Sequence, residues 1–154
     1  MLGQIVSDKM KELAQAKRSR PLEELKAMSA DAPPVRCLLQ SMGSSPEGDA
    51  PAYKIIAEIK KASPSRGVIR ENMNPLDIAT QYQSSGATAI SVLTERKYFS
   101  GALEHIQAVR PSCDIPILRK DFIFDVYQLY EARAFGADSF LLIASILEVE
   151  QLVD

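Results

Sequence analysis

Apolar and polar positions change their spacing along the chain and divide it into two parts. In the first part, apolar residues recur every three or four positions over Ile5–Lys17, with Lys, Asp and Glu between them, which predicts an amphipathic helix. Arg20-Pro21 ends this helix, since a residue before proline avoids the α conformation. Further helices are predicted over Leu22–Met28 and Val35–Met42, and the Gly, Ser and Pro of Gly43–Asp49 predict a loop.

In the second part, short apolar runs alternate with amphipathic segments. Four runs are predicted strands: Lys54–Lys60, Ala89–Thr94, Ile115–Lys120 and Ser139–Ala144. They recur at roughly 25 to 35 residues, the length of one strand-loop-helix unit. Near-continuous apolar strands separated by helices indicate a parallel sheet covered by helices. The chain is therefore predicted to be α/β, with a helical extension over 1–52 and a (β/α)4 unit over 53–154.

Capping residues mark the helices of this unit. Asn74-Pro75 predicts a helix start, with Asn74 as N-cap and proline at the first helical position, and Asp125 caps a later helix in the same way. Gly86 and Gly136 fall where a helix hands over to a strand, where glycine supplies a left-handed cap. Other helices are predicted over Leu103–Val109 and from Glu148 onward.

Charged side chains stand at the carboxyl ends of two predicted strands. Glu58 and Lys60 share one face of the first strand because side chains alternate, and Lys120 ends the third strand. In parallel α/β folds this rim carries the active site. The three groups could bind an anion, donate a proton and stabilise developing charge. A salt-bridge layer, or lysines that simply reach solvent, is an equally open interpretation.

Two further features lie at the same predicted rim. The turn Ser63–Gly67 offers hydroxyls and a flexible glycine to an oxyanion or phosphate, although a polar turn with this composition is usually only a turn. Phe99 and Phe122 each follow a predicted strand end. They could form an apolar wall for a ring-bearing substrate, or pack as core.

The remaining residues with reactive or charged side chains are not predicted to form a functional site. His105 lies on a predicted helix and Glu95–Lys97 on a loop, so both are expected to be solvated. Cys37 and Cys113 are far apart, with no His or Cys beside them. Neither a disulfide nor a metal site is expected, and two reduced thiols favour a cytoplasmic protein.

Composition narrows the function classes. Hydrophobic residues make up 46% and charged residues 25%, typical of a globular protein, and the net charge of -2 gives no reason to expect nucleic acid as a partner. No apolar run approaches the ~20 residues that span a bilayer. The N-terminus, Met1–Gln4, does not begin a signal peptide, so no membrane association is expected.

Several long segments resemble the indole-3-glycerol phosphate synthases of tryptophan biosynthesis. The resemblance rests on Ala57–Ser65, Ala89–Thr94, Tyr98–Gly101, Pro116–Phe122, Tyr127–Arg133, Gly136–Asp138 and Leu141–Ile143. These segments include the strand ends singled out above. The first part of the chain is also similar to the family's N-terminal extension, which lies over the mouth of a (β/α)8 barrel.

The resemblance implies a carbon-carbon lyase that acts on 1-(o-carboxyphenylamino)-1-deoxyribulose 5-phosphate, with no cofactor or metal. It implies Lys120 as general acid, Lys60 as the group that binds substrate anions, and Glu58 as the residue that orients Lys60. Ser63 would lie beside the bound anion. Phe99 and Phe122 would flank the anthranilate ring.

The length departs from this family pattern. A (β/α)8 barrel needs about 250 residues and eight strands, and four strands are predicted here. The chain is therefore expected to be a truncated N-terminal half-barrel, inactive alone and prone to self-association through its open sheet edges. The alternative is a non-catalytic half-barrel module that pairs with itself or with a partner chain. A phosphoribosyl-isomerase-type barrel is disfavoured, because an acid pair would be expected at its strand ends.

Overall fold

A computed structural model describes residues 1–43 and 53–153 of the chain. The elements in chain order are α1 (Leu2–Ser19), α2 (Leu22–Asp31), α3 (Leu38–Gly43), β1 (Ile56–Ile59), β2 (Ala62–Ser63), β3 (Gly67–Val68), α4 (Pro75–Ser84), β4 (Ala89–Leu93), α5 (Leu103–Val109), β5 (Ile117–Ile123), α6 (Val126–Ala134), β6 (Ser139–Leu142) and α7 (Val149–Val153). Single turns of 3-10 helix follow α5 and β6, at Arg110–Ser112 and Ala144–Ile146.

Strands β1, β4, β5 and β6 form one parallel sheet in that order, and helices pack on one of its faces. This is the architecture of half of a (β/α)8 barrel, so the predicted fold class is confirmed. Strands β1 and β6 are the sheet edges, and no further strand pairs with them within 1–43 and 53–153. In the same ranges, no helix is long and apolar enough to cross a membrane.

The buried core lies between the sheet and its helices. Ile59, Ile90 and Ile117 on three neighbouring strands pack with Ile106 and Val109 of α5, and all five are at most 1% exposed. Burying such a side chain contributes roughly 1.5–3 kcal/mol. The opposite face of the sheet is concave and carries the charged side chains of the predicted site.

The predicted caps are confirmed. The Asn74 side chain accepts a hydrogen bond from the Leu76 amide, and Asp125 accepts one from the Tyr127 amide. Gly86 and Gly136 have φ angles of +87° and +96°, which favour glycine. The residues that cap the two ends of these helices could therefore be identified from the local sequence alone.

Strand β5 differs from its predicted bounds of Ile115–Lys120. It begins later, because the Ile115 amide is bound by the Gln83 side chain and Pro116 has no amide hydrogen to donate. It also continues to Ile123, past an irregularity in its pairing with β6. Lys120 and Phe122 therefore lie within the strand, and the prediction that they mark or follow its end is wrong. Arg119 and Asp121 on its other face can be buried within the strand because they form an ion pair.

The third helix begins at Leu38, three residues after its predicted start at Val35. The preceding backbone is held elsewhere, because the Arg36 amide donates to Asp138 at 2.9 Å and the Arg110 side chain donates to the Pro34 carbonyl at 2.7 Å. Gly43 ends α3, and the rest of the predicted loop Gly43–Asp49 lies outside the described residues.

Helices α1 and α2 pack across α6. Leu25 is fully buried against Leu13 and Tyr127, and the Tyr127 hydroxyl donates to the Ala16 and Arg20 carbonyls at 3.1 and 2.9 Å. These contacts bring α1 to the carboxyl ends of the strands. The division of the chain at residue 52 into an extension and a half-barrel stays a prediction.

Candidate active site

Glu58, Lys60 and Lys120 meet on the concave face of the sheet. Lys60 Nζ lies 2.5 Å from Glu58 Oε1, and Lys120 Nζ lies 3.7 Å from Glu58 Oε2. Each side chain is about one-third exposed, at 31% for Glu58, 35% for Lys60 and 38% for Lys120. One carboxylate between two ammonium groups leaves a net positive charge at an open surface, where it can bind an anion.

Two adjoining clefts collect all six predicted site residues. A cleft of about 640 Å³ is lined by Lys60, Ser63, Phe99 and Phe122, with apolar residues of α1 on one side. A second cleft of about 310 Å³ shares Lys60 and both phenylalanines and adds Glu58 and Lys120. The predicted residues are therefore neighbours in space, although their roles are not tested by their proximity.

Phe99 and Phe122 form an aromatic pair beside the lysines. Their ring centroids are 6.4 Å apart, with an angle of 41° between the ring planes. Both side chains are partly exposed to the clefts. An exposed aromatic pair next to a cation suits a flat, anionic ring, since apolar faces orient the ring and the ammonium binds its charge.

Ser63 lies in a small hairpin rather than in an irregular loop. Strands β2 and β3 pair antiparallel around the turn, and Ser63, 9% exposed, accepts a hydrogen bond from the Arg66 amide at 3.3 Å. The neighbouring Ala62 amide donates to the Phe99 carbonyl at 3.2 Å. The hairpin is thereby attached to the loop that carries Phe99.

The loop between β4 and α5 corrects one sequence-based expectation. Glu95 was expected to be solvated with its charged neighbours, but it is 2% exposed. Its carboxylate accepts hydrogen bonds from the amides of Lys97, Tyr98 and Phe99 at 3.2, 2.7 and 3.1 Å. Three backbone donors offset the cost of burying the charge, so the loop is built around this carboxylate.

Two backbone features keep this loop in one conformation. Ser100 has a φ of +52°, which non-glycine residues rarely adopt. A Cβ on Gly101 would lie 2.5 Å from the Leu93 carbonyl oxygen and 2.8 Å from that of Glu95. The chain can pass so close to β4 only because residue 101 is glycine.

Replacing Gly101 by alanine is therefore expected to displace the loop and Phe99 with it. The cost should resemble that of overpacking, about 1–3 kcal/mol of the free energy of unfolding. Urea denaturation of Gly101→Ala measures it. Gly3→Ala on α1, where an added Cβ meets nothing within 4 Å, is the control and should not destabilise the protein. Equal stability of the two variants would contradict this account of the loop.

A buried polar network lies on the other face of the strand that carries Lys120. Arg119 and Asp121, at 2% and 3% exposure, are joined by an ion pair of 3.1 Å. Asp121 also accepts from the Thr94 hydroxyl at 2.7 Å and pairs with Lys9 of α1 at 3.1 Å. Burial disfavours the charged carboxylate, but Arg119 and Lys9 outweigh it, so the pKa of Asp121 lies below its usual value.

Sequence reasoning missed this network, although one signal was present. In Arg119-Lys120-Asp121, strand alternation places Arg119 and Asp121 on the face opposite Lys120. Opposite charges two residues apart in an apolar strand indicate a buried pair. The partner on α1 has no such local signal.

The remaining reactive residues lie outside the clefts. His105 was expected to be solvated but is half-buried, and burial lowers its pKa. Its Nδ1 has no hydrogen-bond partner among the described residues. Cys37 is exposed and Cys113 is buried, both as free thiols, and burial raises the pKa of Cys113. Within the described ranges no group of three or more His, Cys, Asp or Glu residues is placed to hold a metal ion.

Comparison with known proteins identifies the family of this chain. The family described as indole-3-glycerol phosphate synthase matches residues 2–154 of the chain. The chain belongs to the indole-3-glycerol phosphate synthase family. The resemblance found in the strand-end segments is thus confirmed.

Individual members of this family match almost the whole chain. A protein of Neisseria meningitidis serogroup C, named indole-3-glycerol phosphate synthase, is 46% identical over 99% of this chain. Proteins with the same name from Dechloromonas aromatica and Burkholderia multivorans are 45% and 47% identical over 99% and 96% of it. The chain spans 58%, 57% and 56% of the lengths of these three relatives.

Proposed function

We propose that this chain contributes the substrate-binding and proton-donating half of an indole-3-glycerol phosphate synthase site. The reaction closes a ring in 1-(o-carboxyphenylamino)-1-deoxyribulose 5-phosphate, with loss of carbon dioxide and water. The observation that carries the proposal is the meeting of Glu58, Lys60 and Lys120 with the Phe99–Phe122 pair around two adjoining clefts. A cytoplasmic location is part of the same proposal.

Lys120 is assigned the role of general acid. As the aromatic carbon attacks the ketone carbon, the carbonyl π electrons move to oxygen, and the Lys120 ammonium donates a proton there to give a hydroxyl. Loss of carbon dioxide then returns electrons to the aromatic ring. A donor on a strand is well placed for this step, because the ladder of backbone hydrogen bonds holds it rigidly.

Lys60 and Glu58 are assigned to binding and orientation. The 2.5 Å contact with Glu58 fixes the Lys60 ammonium on the side of the cleft that also contains Ser63. There Lys60 can bind an anionic group of the substrate. It can also protonate the leaving hydroxyl as its C–O bond breaks, while the adjacent ring carbon loses a proton to solvent and the double bond of the indole forms. The free lone pairs of Glu58 can accept hydrogen bonds from sugar hydroxyls.

Phe99 and Phe122 are assigned to the anthranilate ring. Ring closure requires the aromatic carbon and the ketone carbon to be held within reacting distance, and restricting the ring against an apolar surface lowers the entropic part of the barrier. Their partly exposed position in both clefts supports this role.

Reconstitution tests the proposal. The 154-residue chain would be mixed with the part of the Neisseria meningitidis relative that lies after the matched region. Formation of indole-3-glycerol phosphate would be measured by its fluorescence. We expect turnover from the mixture and almost none from either chain alone, since this chain contributes residues to only one side of the proposed active site. Equal turnover by this chain alone, or none from a well-folded complex of the two, would overturn the proposal.

A second candidate function, a half-barrel module that associates with itself, is favoured by the exposed edges. Ile55 and Ile56 at the β1 edge are 56% and 42% exposed, and Phe140 and Leu142 at the β6 edge are 39% and 38% exposed. An unpaired edge strand with apolar side chains is a template for pairing with another chain.

Light scattering at increasing concentration tests this association. We expect dimers or larger species for the 154-residue chain, and a shift toward monomer in Phe140→Lys, because a charge at the edge opposes pairing. Val126→Lys is the matched control, since Val126 is 61% exposed on a helix and cannot take part in strand pairing at the edge. A chain that stays monomeric at all concentrations, or an equal effect of the two variants, would exclude association through the β6 edge.

A further inference from the structure

We infer that Asp8 and Lys9, neighbours on α1, are positioning residues that separately hold the two aromatic walls of the cleft. Asp8 holds the loop that carries Phe99, and Lys9 holds the strand that carries Phe122. The inference rests on the proposed function only where it concerns binding of a ring-bearing substrate. The positioning itself follows from contacts within the chain.

Asp8 contacts the two residues that precede Phe99. Lys97 Nζ lies 2.6 Å from Asp8 Oδ2, and the Tyr98 hydroxyl donates to the same oxygen at 2.7 Å. The Asp8 side chain is 16% exposed. Hydrogen bonds from Lys97 and then Tyr98 hold the pKa of Asp8 well below its usual value, so it is charged at any pH near neutral. The β4–α5 loop is thus fixed from outside by α1 and from inside by the buried Glu95 carboxylate.

Lys9 contacts the other wall through Asp121. Lys9 is 4% exposed, and its Nζ lies 3.1 Å from Asp121 Oδ1. The same Oδ1 accepts a hydrogen bond from the Phe122 amide at 2.9 Å. Lys9 therefore binds the same carboxylate oxygen that restrains the Phe122 backbone. Lys9 also pairs with Glu12 within α1 at 3.0 Å, but the Glu12 side chain is 41% exposed, so Asp121 is the buried carboxylate partner of this buried lysine.

The helix links these two contacts. Adjacent residues on an α-helix point about 100° apart, so Asp8 and Lys9 can reach different elements from one turn. Their opposite charges match opposite partners, a lysine on the loop and an aspartate on the strand. The 6.4 Å separation of the Phe99 and Phe122 rings thus depends on α1 as well as on the sheet.

Amide hydrogen exchange on the 154-residue chain tests the two contacts independently. Asp8→Asn should speed exchange at the amides of residues 97–99 by about threefold or more and leave that of Phe122 within about twofold. Lys9→Met should do the reverse. Rates are referred to the buried Val92 amide in the same variant, which removes any change in global stability. Lys11→Met deletes the other ion pair of Asp8, within α1, and should change neither site.

Two further measurements separate positioning from a merely structural role. Lys9→Arg keeps the charge and should restore most of the Phe122 protection. The substrate with its ketone reduced by borohydride retains the fluorescent ring and the phosphate but cannot cyclise. Asp8→Asn and Lys9→Met should each weaken its binding about two- to fivefold, against less than twofold for Lys11→Met.

The outcomes are distinguishable. Crossed exchange effects with weaker analogue binding support both the inference and the proposed function. If the two variants show crossed exchange effects but the wild-type chain does not bind the analogue, the positioning is supported and the proposed function is not. Uniform exchange changes across residues 97–99 and 122, or none in either variant, overturn the inference whatever the binding result.

Discussion

Replacing Lys120 by methionine is expected to lower the turnover of the reconstituted complex about 10²–10⁴-fold, the usual contribution of a general acid. Methionine keeps most of the side-chain volume but removes the proton that the ketone oxygen receives in the proposed reaction. Because Lys60 and the aromatic pair remain, affinity for the reduced analogue should fall much less than turnover. Steady-state kinetics and a fluorescence titration measure the two effects separately.

Lys26→Met is the matched control for this prediction. Lys26 lies on α2, where it pairs with Glu23 at 2.9 Å and lines neither cleft. Its loss should leave turnover within about twofold, as expected for an exposed ion pair far from the site. If Lys120→Met kept turnover within tenfold of the wild type, Lys120 would not be the general acid.

Replacing Asp121 by alanine should produce the largest loss of stability, about 3–5 kcal/mol of the free energy of unfolding. Among the described residues, the change leaves the buried Lys9 with only the more exposed Glu12 carboxylate and Arg119 with only that of Glu131. It also removes the acceptor of the Thr94 hydroxyl and of the Phe122 amide. Urea denaturation of the 154-residue chain measures the loss. Asp77→Ala, at the exposed start of α4, is the control and should cost less than about 1 kcal/mol. A similar, small loss in both would contradict the role given to the network.

The same network predicts a pH dependence. The pKa of Asp121 is lower in the folded protein than the usual value of 3.8, so its ionised form stabilises the fold at neutral pH. That contribution is present above about pH 4 and is lost as the pH falls toward the folded pKa. Asp121→Ala should therefore show a smaller drop in stability than the wild type on acidification. Parallel curves for the two proteins would exclude this linkage.

Local patterns were sufficient for the fold and for the residues of the concave face. Apolar runs of strand length separated by helical periods predicted four strands and the helices between them, and all four strands are present. Alternation along the predicted strand Lys54–Lys60 placed Glu58 and Lys60 on one face, and they do meet there although β1 ends at Ile59, one residue before Lys60. Strand topology then brought Lys120 to the same rim, because parallel strands end on one side.

The contacts that hold this site could not be predicted in the same way. Lys9 and Asp121 are 112 residues apart, and Asp8 and Tyr98 are 90 apart, so no local pattern joins them. Glu95 has charged neighbours and was therefore expected to be solvated. It is buried because three backbone amides bind its carboxylate, and that geometry exists only once the loop has folded.

The most direct test of the central claim is a fluorescence titration of the 154-residue chain with the reduced substrate analogue. The account predicts saturable 1:1 binding, weakened about tenfold in Lys60→Met, as expected when one charge-assisted hydrogen bond to an anion is lost. Lys54→Met, before the amino end of β1, should bind like the wild type. No saturable binding, or equal losses in both variants, would contradict the claim that Glu58, Lys60 and the Phe99–Phe122 pair form a substrate site.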